Sequence, residues 1–210
     1  YIPIVKAWCS EMAQEVTSLG VQVHGGMGFV EETGVAQYMR DARILTIYEG
    51  TTGIQAIDLM GRKMWRDKGL GMGELIAEME AFERSMSDQL DEDKAEAFGR
   101  IKRELARSLA SLKESTEWFL AKASDDPYLS GSIGVNYMMQ AGNVIAGWLM
   151  ARSAVSAQQH IDSGESDAFY RNKISTALFF AEHILPRSES LKITVQSGSD
   201  SVMSIGIADF

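Results

Sequence analysis

Cysteine, basic residues and proline are all scarce in this sequence of 210 residues, and each scarcity excludes a class of protein. Its single cysteine, Cys9, has no second cysteine for an internal disulfide, which fits a reducing compartment. The 20 Lys and Arg are outnumbered by 29 Asp and Glu, so the net charge of −9 makes nucleic acid an unfavourable partner. With only three prolines and little period-two alternation, the sequence predicts an all-α protein.

Long apolar runs are also missing. No run approaches the roughly 20 residues that span a bilayer, and no signal-peptide pattern opens the chain, so we predict a cytoplasmic protein with no membrane partner. His24, His160 and His183 share no ligand-type spacing, so we predict no metal site. The chain is 45% hydrophobic and 23% charged, which is ordinary for a protein that packs a core.

Helical patterning begins almost at the first residue. Apolar residues spaced three and four apart predict one buried face of a first helix, and they are Ile4, Trp8, Met12, Val16 and Leu19. Because the chain opens inside this pattern without an initiator Met, we expect a part of a longer protein. A mature chain trimmed by processing is the alternative.

Two glycine-rich stretches, at 20–34 and 68–73, divide the sequence, because glycine gives up much backbone entropy when it is ordered. Between them the pattern predicts a short helix at 35–43, an extended segment or loop at 44–51 and another helix at 52–65.

Beyond the second glycine stretch, apolar stripes predict an antiparallel bundle of four or five helices. The first two stripes are Leu75, Met79, Phe82, Met86 and Leu90, then Phe98, Ile101, Leu105, Leu109, Leu112 and Phe119. A third helix has Val135, Met138, Ile145, Trp148 and Leu149, with Gly142 and Gly147 as points where a neighbouring helix approaches closely. A fourth, from about 166 to 185, has Phe169, Ile174, Leu178 and Ala181 on its inner face, and Pro186 either breaks it or starts the next helix.

Two strings in the first third are candidates for a functional site. The first, at 22–29, reads QVHGGMGF. Gly25 and Gly26 expose backbone amides and allow a bulky ligand to approach, but a double glycine also marks a tight turn, and the spacing leaves both readings open.

The second string, at 47–55, reads IYEGTTGIQ and contains Glu49. Its apolar neighbours Ile44, Leu45 and Ile47 suggest a carboxylate shielded from water, as a general base requires. The alternative is a helix start, in which Thr51 or Thr52 caps and Glu49 is a solvated neighbour.

Taken together, the two strings resemble the carboxy-terminal signature of the acyl-CoA dehydrogenase family. The matching residues, within 1–66, are Gln22, Gly25, Gly26, Arg40, Asp41, Ala42, Arg43, Ile47, Tyr48, Glu49, Gly50, Thr51, Ile54 and Gln55. The helical remainder resembles the longer members of the family, which include 3-methylmercaptopropionyl-CoA dehydrogenases. The resemblance implies the end of the family's helical domain at 1–66, a linker at 67–73 and an additional helical domain at 74–210.

The resemblance also implies a reaction. Glu49 matches the base that removes the α-proton of an acyl-CoA thioester, while a hydride leaves the β-carbon for FAD and an electron-transfer flavoprotein later reoxidises the flavin. Tyr48 and Gly50 are expected to line the thioester slot. The Glu49 backbone amide and a flavin ribityl hydroxyl are expected to stabilise the developing enolate.

Contacts with FAD are implied at two places. Gln22, Gly25 and Gly26 match the segment that reaches the adenosine end of a flavin held by a partner subunit, which implies a homodimer. Thr51 and Gly53 match positions near the diphosphate of the chain's own cofactor, although some family members have a side-chain amide where Gly53 stands.

Four further expectations follow. Arg40, Asp41 and Arg43 are expected to form an ion-pair set that fixes the loop carrying Glu49, and a direct role in binding a ligand is the alternative. The turn at 25–26 is expected to lie close to residues 48–50. The isolated chain should bind FAD poorly and be inactive, because it encodes no strand-rich domain. No convergent polar cluster is expected at 74–210.

Two alternative functions remain. One is a non-catalytic helical module that serves in assembly. The other is a family relative with a role other than acyl-CoA oxidation, as the DNA-damage-response relatives have.

Overall fold

The computed structural model describes residues 1–86 and 95–209. Within these ranges the regular elements are helices and no β-strand occurs, which confirms the all-α prediction. In the first third, the helices are α1 (Ile2–Val23), α2 (Gly26–Phe29), α3 (Val35–Arg43) and α4 (Thr52–Ile57), with 3₁₀ turns at Glu31–Thr33 and Ile44–Thr46 and a π-helical continuation of α4 at Asp58–Met64. The following helices are α5 (Leu70–Ser85), α6 (Ala95–Lys122), α7 (Leu129–Asp162), α8 (Ala168–His183) and α9 (Arg187–Gln196), and a 3₁₀ turn follows at Ile207–Asp209.

The short helix predicted at 35–43 is confirmed as α3, and α4 with its π-helical continuation accounts for the helix predicted after residue 51. The second glycine stretch is partly helical, because α5 already begins at Leu70. Gly69 supplies the left-handed turn before α5 with a φ of +77°. The Asp67 carboxylate then accepts hydrogen bonds from the amides of Gly69 at 2.9 Å and Gly71 at 3.1 Å.

The stripes of α5 and α6 form much of the core. The predicted α6 residues are all buried, as are Leu75, Met79 and Met86 from the α5 stripe, while Phe82 is partly buried against them. Leu90 lies outside the described residues. Pro186 directly precedes α9, so it starts a helix rather than only ending one.

Helix α7 is the central element and contacts α1, α4, α6, α8 and α9. Its apolar and small residues occur on nearly all sides, as expected of a helix surrounded by others. A Cβ added at Gly142 would lie 2.2 Å from Trp8 Cδ1, and one at Gly147 would lie 2.5 Å from Leu185 Cδ2. The predicted close approach of a helix is therefore confirmed at Gly142, whereas the close neighbour of Gly147 is Leu185 in the turn between α8 and α9.

Several residues predicted to face the core are exposed instead. Val16 and Leu19 on α1 are 65% and 55% exposed, and Phe169 on α8 is 59% exposed. Val135 and Leu149 on α7 are also exposed. Periodicity indicates which side of a helix is apolar, but it does not indicate how far along that side a neighbour extends. The buried residues of α1 end at Ser10.

One hydrophobic cluster contains residues from both predicted domains, including Ile4 and Met60 from the first and Tyr137 from the second. The Arg187 guanidinium also binds both carboxylate oxygens of Glu15, at 2.9 and 2.8 Å, and this hydrogen bonding lowers the pKa of Glu15. The helical region therefore packs on the first 66 residues, while the domain boundaries themselves stay a prediction. No helix in the described ranges is long and apolar enough to cross a membrane.

Substitution of Gly142 tests the crossing of α1 and α7. Gly142→Ala should lower the free energy of unfolding by about 1–3 kcal/mol, since the new methyl group overlaps the Trp8 ring and its Cβ. Gly131→Ala, in the same helix, places its methyl group in open space and should be neutral or stabilising by up to about 1 kcal/mol. Urea or thermal unfolding measures both, and equal stability of the two variants would contradict the close crossing.

Candidate functional site

The candidate catalytic loop, residues 47–51, joins the 3₁₀ turn at 44–46 to α4. Glu49 has a φ of +54° and Gly50 a φ of +92°. A glutamate in the left-handed region costs of order 1–3 kcal/mol and persists only where its surroundings hold it. Part of that support is local, because the Gln55 side-chain amide donates to the Glu49 carbonyl at 3.3 Å.

Helix α1 supplies the remaining support through two polar side chains. The Lys6 ammonium donates to the carbonyl oxygens of Leu45 at 2.8 Å and Gly50 at 2.7 Å. Five residues further along α1, Glu11 accepts a short hydrogen bond from the Thr52 hydroxyl. Neither Lys6 nor Glu11 was predicted from the sequence to support this loop. Their place on a helix predicted to be amphipathic was the available signal, and it did not indicate which groups they bind.

Thr51 caps α4, because its hydroxyl oxygen accepts a hydrogen bond from the Ile54 amide at 3.3 Å. The alternative interpretation of residues 47–55, as the start of a helix, is therefore correct in that Thr51 is the cap. A Cβ added at Gly53 would find its nearest neighbour, Thr51 Oγ1, at 3.9 Å, so the first turn of α4 is uncrowded.

The predicted shielding of Glu49 by its sequence neighbours is wrong. Glu49 is exposed, Tyr48 is 47% exposed, and Ile44 and Ile47 are exposed as well. Apolar residues next to a carboxylate in sequence do not enclose it when they lie on the same open surface. Within the described ranges, neither the carboxylate nor the N–H of Glu49 has a hydrogen-bond or ion-pair partner.

The glycine turn after α1 has two kinds of glycine. Gly28 is buried within α2, and a Cβ there would lie 2.3 Å from the Val21 carbonyl oxygen, so α2 packs closely against the end of α1 at this position. Gln22, Gly25 and Gly26 are exposed, and a Cβ at either glycine would meet nothing within 4 Å. The tight-turn interpretation holds for Gly25, which lies in the turn between α1 and α2 with a φ of +58°, and both Gly25 and Gly26 present accessible backbone.

The glycine turn and the catalytic loop are at opposite ends of α1, so the expectation that they lie close together is wrong. Lys6 contacts the loop near the start of the helix, and the glycine turn follows Val23 at its end. At about 1.5 Å per residue, about 25 Å of helix separates Lys6 from Val23. The straight helix between the two motifs keeps them apart.

The predicted ion-pair set at 40–43 does not form. Arg40 pairs instead with Glu31 at 3.5 Å, and Arg43 donates to the Thr46 hydroxyl at 3.2 Å. Asp41 has no ion-pair partner in the part of the chain that the structure describes. Adjacent charges on a helix point in different directions, so consecutive Arg and Asp residues do not face one another.

A polar cluster that the sequence did not indicate lies where α7 ends and α8 begins. The Glu165 carboxylate binds a His160 ring nitrogen at 2.6 Å and accepts from the Tyr170 hydroxyl at 2.6 Å. Hydrogen bonding from Tyr170 and then from His160 lowers the pKa of Glu165. The His160 and Tyr170 rings stack at 4.7 Å, so the cluster ties the two helices together at their turn. Among the described residues, no three His, Cys, Asp or Glu side chains are grouped for a metal ion.

Two family models match the chain. The model described as "Acyl-CoA dehydrogenase, C-terminal domain" matches residues 1–64, and the one described as "Acetyl-CoA dehydrogenase C-terminal like" matches residues 75–206.

Some curated relatives match over nearly the whole chain, and others match a shorter part of it. A 3-methylmercaptopropionyl-CoA dehydrogenase of Ruegeria pomeroyi is 42% identical over 98% of this chain and 34% of its own length. The broad-specificity linear acyl-CoA dehydrogenase FadE5 of Mycobacterium tuberculosis is 32% identical over 100% of this chain and 35% of its own length. The chain thus spans about a third of these relatives. The caffeyl-CoA reductase-Etf complex subunit CarC of Acetobacterium woodii is 40% identical over 28% of this chain and 15% of its own length.

Two glycines of the turn should differ sharply in their tolerance of a methyl group. Gly28→Ala should lower the free energy of unfolding by about 1–3 kcal/mol, since its Cβ meets backbone oxygen. Gly26→Ala should change it by less than about 0.5 kcal/mol, because the added atom lies in open space. Thermal unfolding of both variants provides the comparison, and a Gly26→Ala variant as unstable as Gly28→Ala would show that Gly26 is part of the packed turn.

Proposed function

The chain belongs to the acyl-CoA dehydrogenase family, and from that premise we propose that it is the part of an FAD-dependent acyl-CoA dehydrogenase that carries the catalytic base, Glu49. The observation that carries this proposal is how the candidate catalytic loop is held and which of its groups have no partner. Its backbone is held from α1 and α4, while the Glu49 carboxylate and N–H have no partner among the described residues. Both groups are therefore available to a substrate.

In the proposed reaction, the Glu49 carboxylate removes the α-proton of an acyl-CoA thioester. The Glu49 N–H donates to the thioester oxygen, where negative charge develops as the proton leaves. Tyr48 and Gly50, on either side of the base, would line the thioester. Bound FAD would supply the acceptor for the hydride that leaves the β-carbon, and the product would be a 2,3-enoyl-CoA.

A base of this kind needs shielding from water, which the described residues do not provide for Glu49. Exposed apolar side chains surround the loop and include Ile44, Ile47, Ile54 and Ile57. We propose that the remaining two thirds of the full-length protein and its dimer partner cover this surface. The isolated chain would then bind FAD poorly and lack activity.

The residues proposed to hold FAD are compatible with a bulky ligand. Thr51 and Gly53 lie in the uncrowded first turn of α4, while Gln22, Gly25 and Gly26 are exposed beyond the other end of α1. The length of α1 between the two places fits contacts with two different flavins better than with one. We therefore propose that Gln22, Gly25 and Gly26 reach the adenosine end of a flavin held by a second copy, in a homodimer.

The substrate proposed first is 3-methylmercaptopropionyl-CoA, on the similarity to the dehydrogenase of that name. Linear acyl-CoA thioesters are the alternative, since the FadE5 relative is named for them. Bleaching of the full-length flavoprotein by a panel of thioesters distinguishes the two.

An electron-transfer flavoprotein is the proposed electron acceptor, in line with the Etf complex of a shorter match. A cytoplasmic location stays a prediction.

Glu49→Gln in the full-length enzyme tests the base. The amide keeps the size of the side chain but removes the proton acceptor, so the rate of flavin reduction by acyl-CoA should fall by at least about 10²–10⁴-fold. FAD should stay bound, and acyl-CoA should still perturb the flavin spectrum in stopped-flow measurements. Glu49→Asp should be milder, because its carboxylate is displaced by about one bond length.

Glu31→Gln and Glu32→Gln are the matched controls. Both glutamates are exposed near the glycine turn, and Glu31 only pairs with Arg40 on the surface. Flavin reduction should therefore be close to wild type in both. Near-normal reduction in Glu49→Gln together with loss of reduction in either control would refute the assignment.

A further inference from the structure

Lys6 joins α1 to the loop that carries Glu49, and we propose that it is a positioning residue for proton abstraction. This proposal rests on the proposed function of Glu49. Lys6 acts on the loop backbone, and its own charge takes no part in the chemistry. Its role is to keep Glu49 in the left-handed conformation that the loop shows.

The contacts of Lys6 converge on one short segment. Its ammonium binds the carbonyl oxygen of Leu45 at 2.8 Å and that of Gly50 at 2.7 Å, and both bonds are partly buried. It also lies 5.8 Å from the centre of the Tyr48 ring, within the range of a cation–π contact. Residues on both sides of Glu49 are thereby held by a single cation.

A cation is needed because the carbonyl oxygens of Leu45 and Gly50 both approach the position that the Lys6 ammonium occupies. With the ammonium between them, each oxygen accepts a charge-assisted hydrogen bond, which is stronger than a neutral one. With an apolar side chain in its place, the two dipoles face one another without a donor. The segment would then separate and release the positive φ of Glu49.

Lys6 is itself held by the core. Ile4 and Ala7, on either side of it, are buried, and the Trp8 indole N–H donates to the Asn143 side chain of α7 at 2.9 Å. The position of the loop is therefore set by the part of α1 that packs against α7. A displacement of the reacting group by about 1 Å costs about 10²-fold in rate, so this reference matters for the reaction.

The test is Lys6→Met in the full-length flavoprotein, which keeps the apolar stem and removes the ammonium. We expect the limiting rate of anaerobic flavin reduction to fall by about 10- to 100-fold. The acyl-CoA concentration at half-saturation should change by less than about 3-fold, since uniform substrate binding is not lost. Lys6→Arg should recover part of the rate. Lys6→Gln replaces Lys6→Met as the test variant if the latter does not fold.

Lys63→Met is the control, because Lys63 pairs on the surface with Asp58 and makes no contact with the loop. It should reduce flavin at the wild-type rate. A wild-type rate in Lys6→Met, or equal losses in Lys6→Met and Lys63→Met, would overturn the positioning role.

A double-mutant cycle separates positioning from general damage. In a Glu49→Gln background, Lys6→Met should have little further effect on the residual rate, because no base remains to be positioned. An equally large further loss there would overturn the proposal. If Glu49→Gln alone reduces flavin normally, the assignment of the base fails instead. If Glu49→Gln is inactive while Lys6→Met is normal, only the role of Lys6 fails.

Discussion

Trp8 lies against α7 where Gly142 leaves no side chain in its way, and the indole N–H binds Asn143 one residue further on. This crossing sets the position of α1 against the central helix of the bundle. Lys6 and Glu11, on the same part of α1, then bind the loop and the first turn of α4. A packing contact in the core thus determines where a surface loop lies.

The same arrangement keeps the two candidate motifs at opposite ends of α1. Helix α1 has its fully buried residues in its first turns, while its later part is half-buried to exposed, and the helix also contacts α2 and α3. The candidate catalytic loop is held by the buried part, and the glycine turn follows the more exposed part. A helix that is most deeply buried near its start and more exposed near its end suits a protein whose remaining surface is covered by other parts of a larger assembly, as we propose.

The fold could largely be predicted from the sequence, because helical periodicity reports which residues share a face. The α6 stripe from Phe98 to Phe119 is buried as predicted, and Gly142 lies at a close helix crossing as predicted, whereas the close neighbour of Gly147 is Leu185 in the turn between α8 and α9. Exposure of Val16 and Phe169 could not be predicted, because it depends on where neighbouring helices end.

Less of the site could be predicted. The motif containing Glu49 was recognisable in the sequence. The φ of +54° and the exposure of Glu49 itself depend on contacts with residues that are distant in the sequence. Lys6 lies 44 positions upstream of Gly50, and nothing in the local sequence links an amphipathic lysine to a distant carbonyl. The expected pairing within 40–43 failed for a related reason, since neighbours in sequence were taken as neighbours in space.

Exchange of the substrate α-protons with solvent tests the central claim, that Glu49 removes a proton, without involving hydride transfer. An acyl-CoA with sulfur at the β position has no β-hydride to lose, so the full-length flavoprotein in D₂O can only exchange its α-protons, which NMR follows. We expect exchange with the wild-type enzyme and a rate at least about 10²-fold lower with Glu49→Gln. Exchange at the wild-type rate in Glu49→Gln would contradict the account.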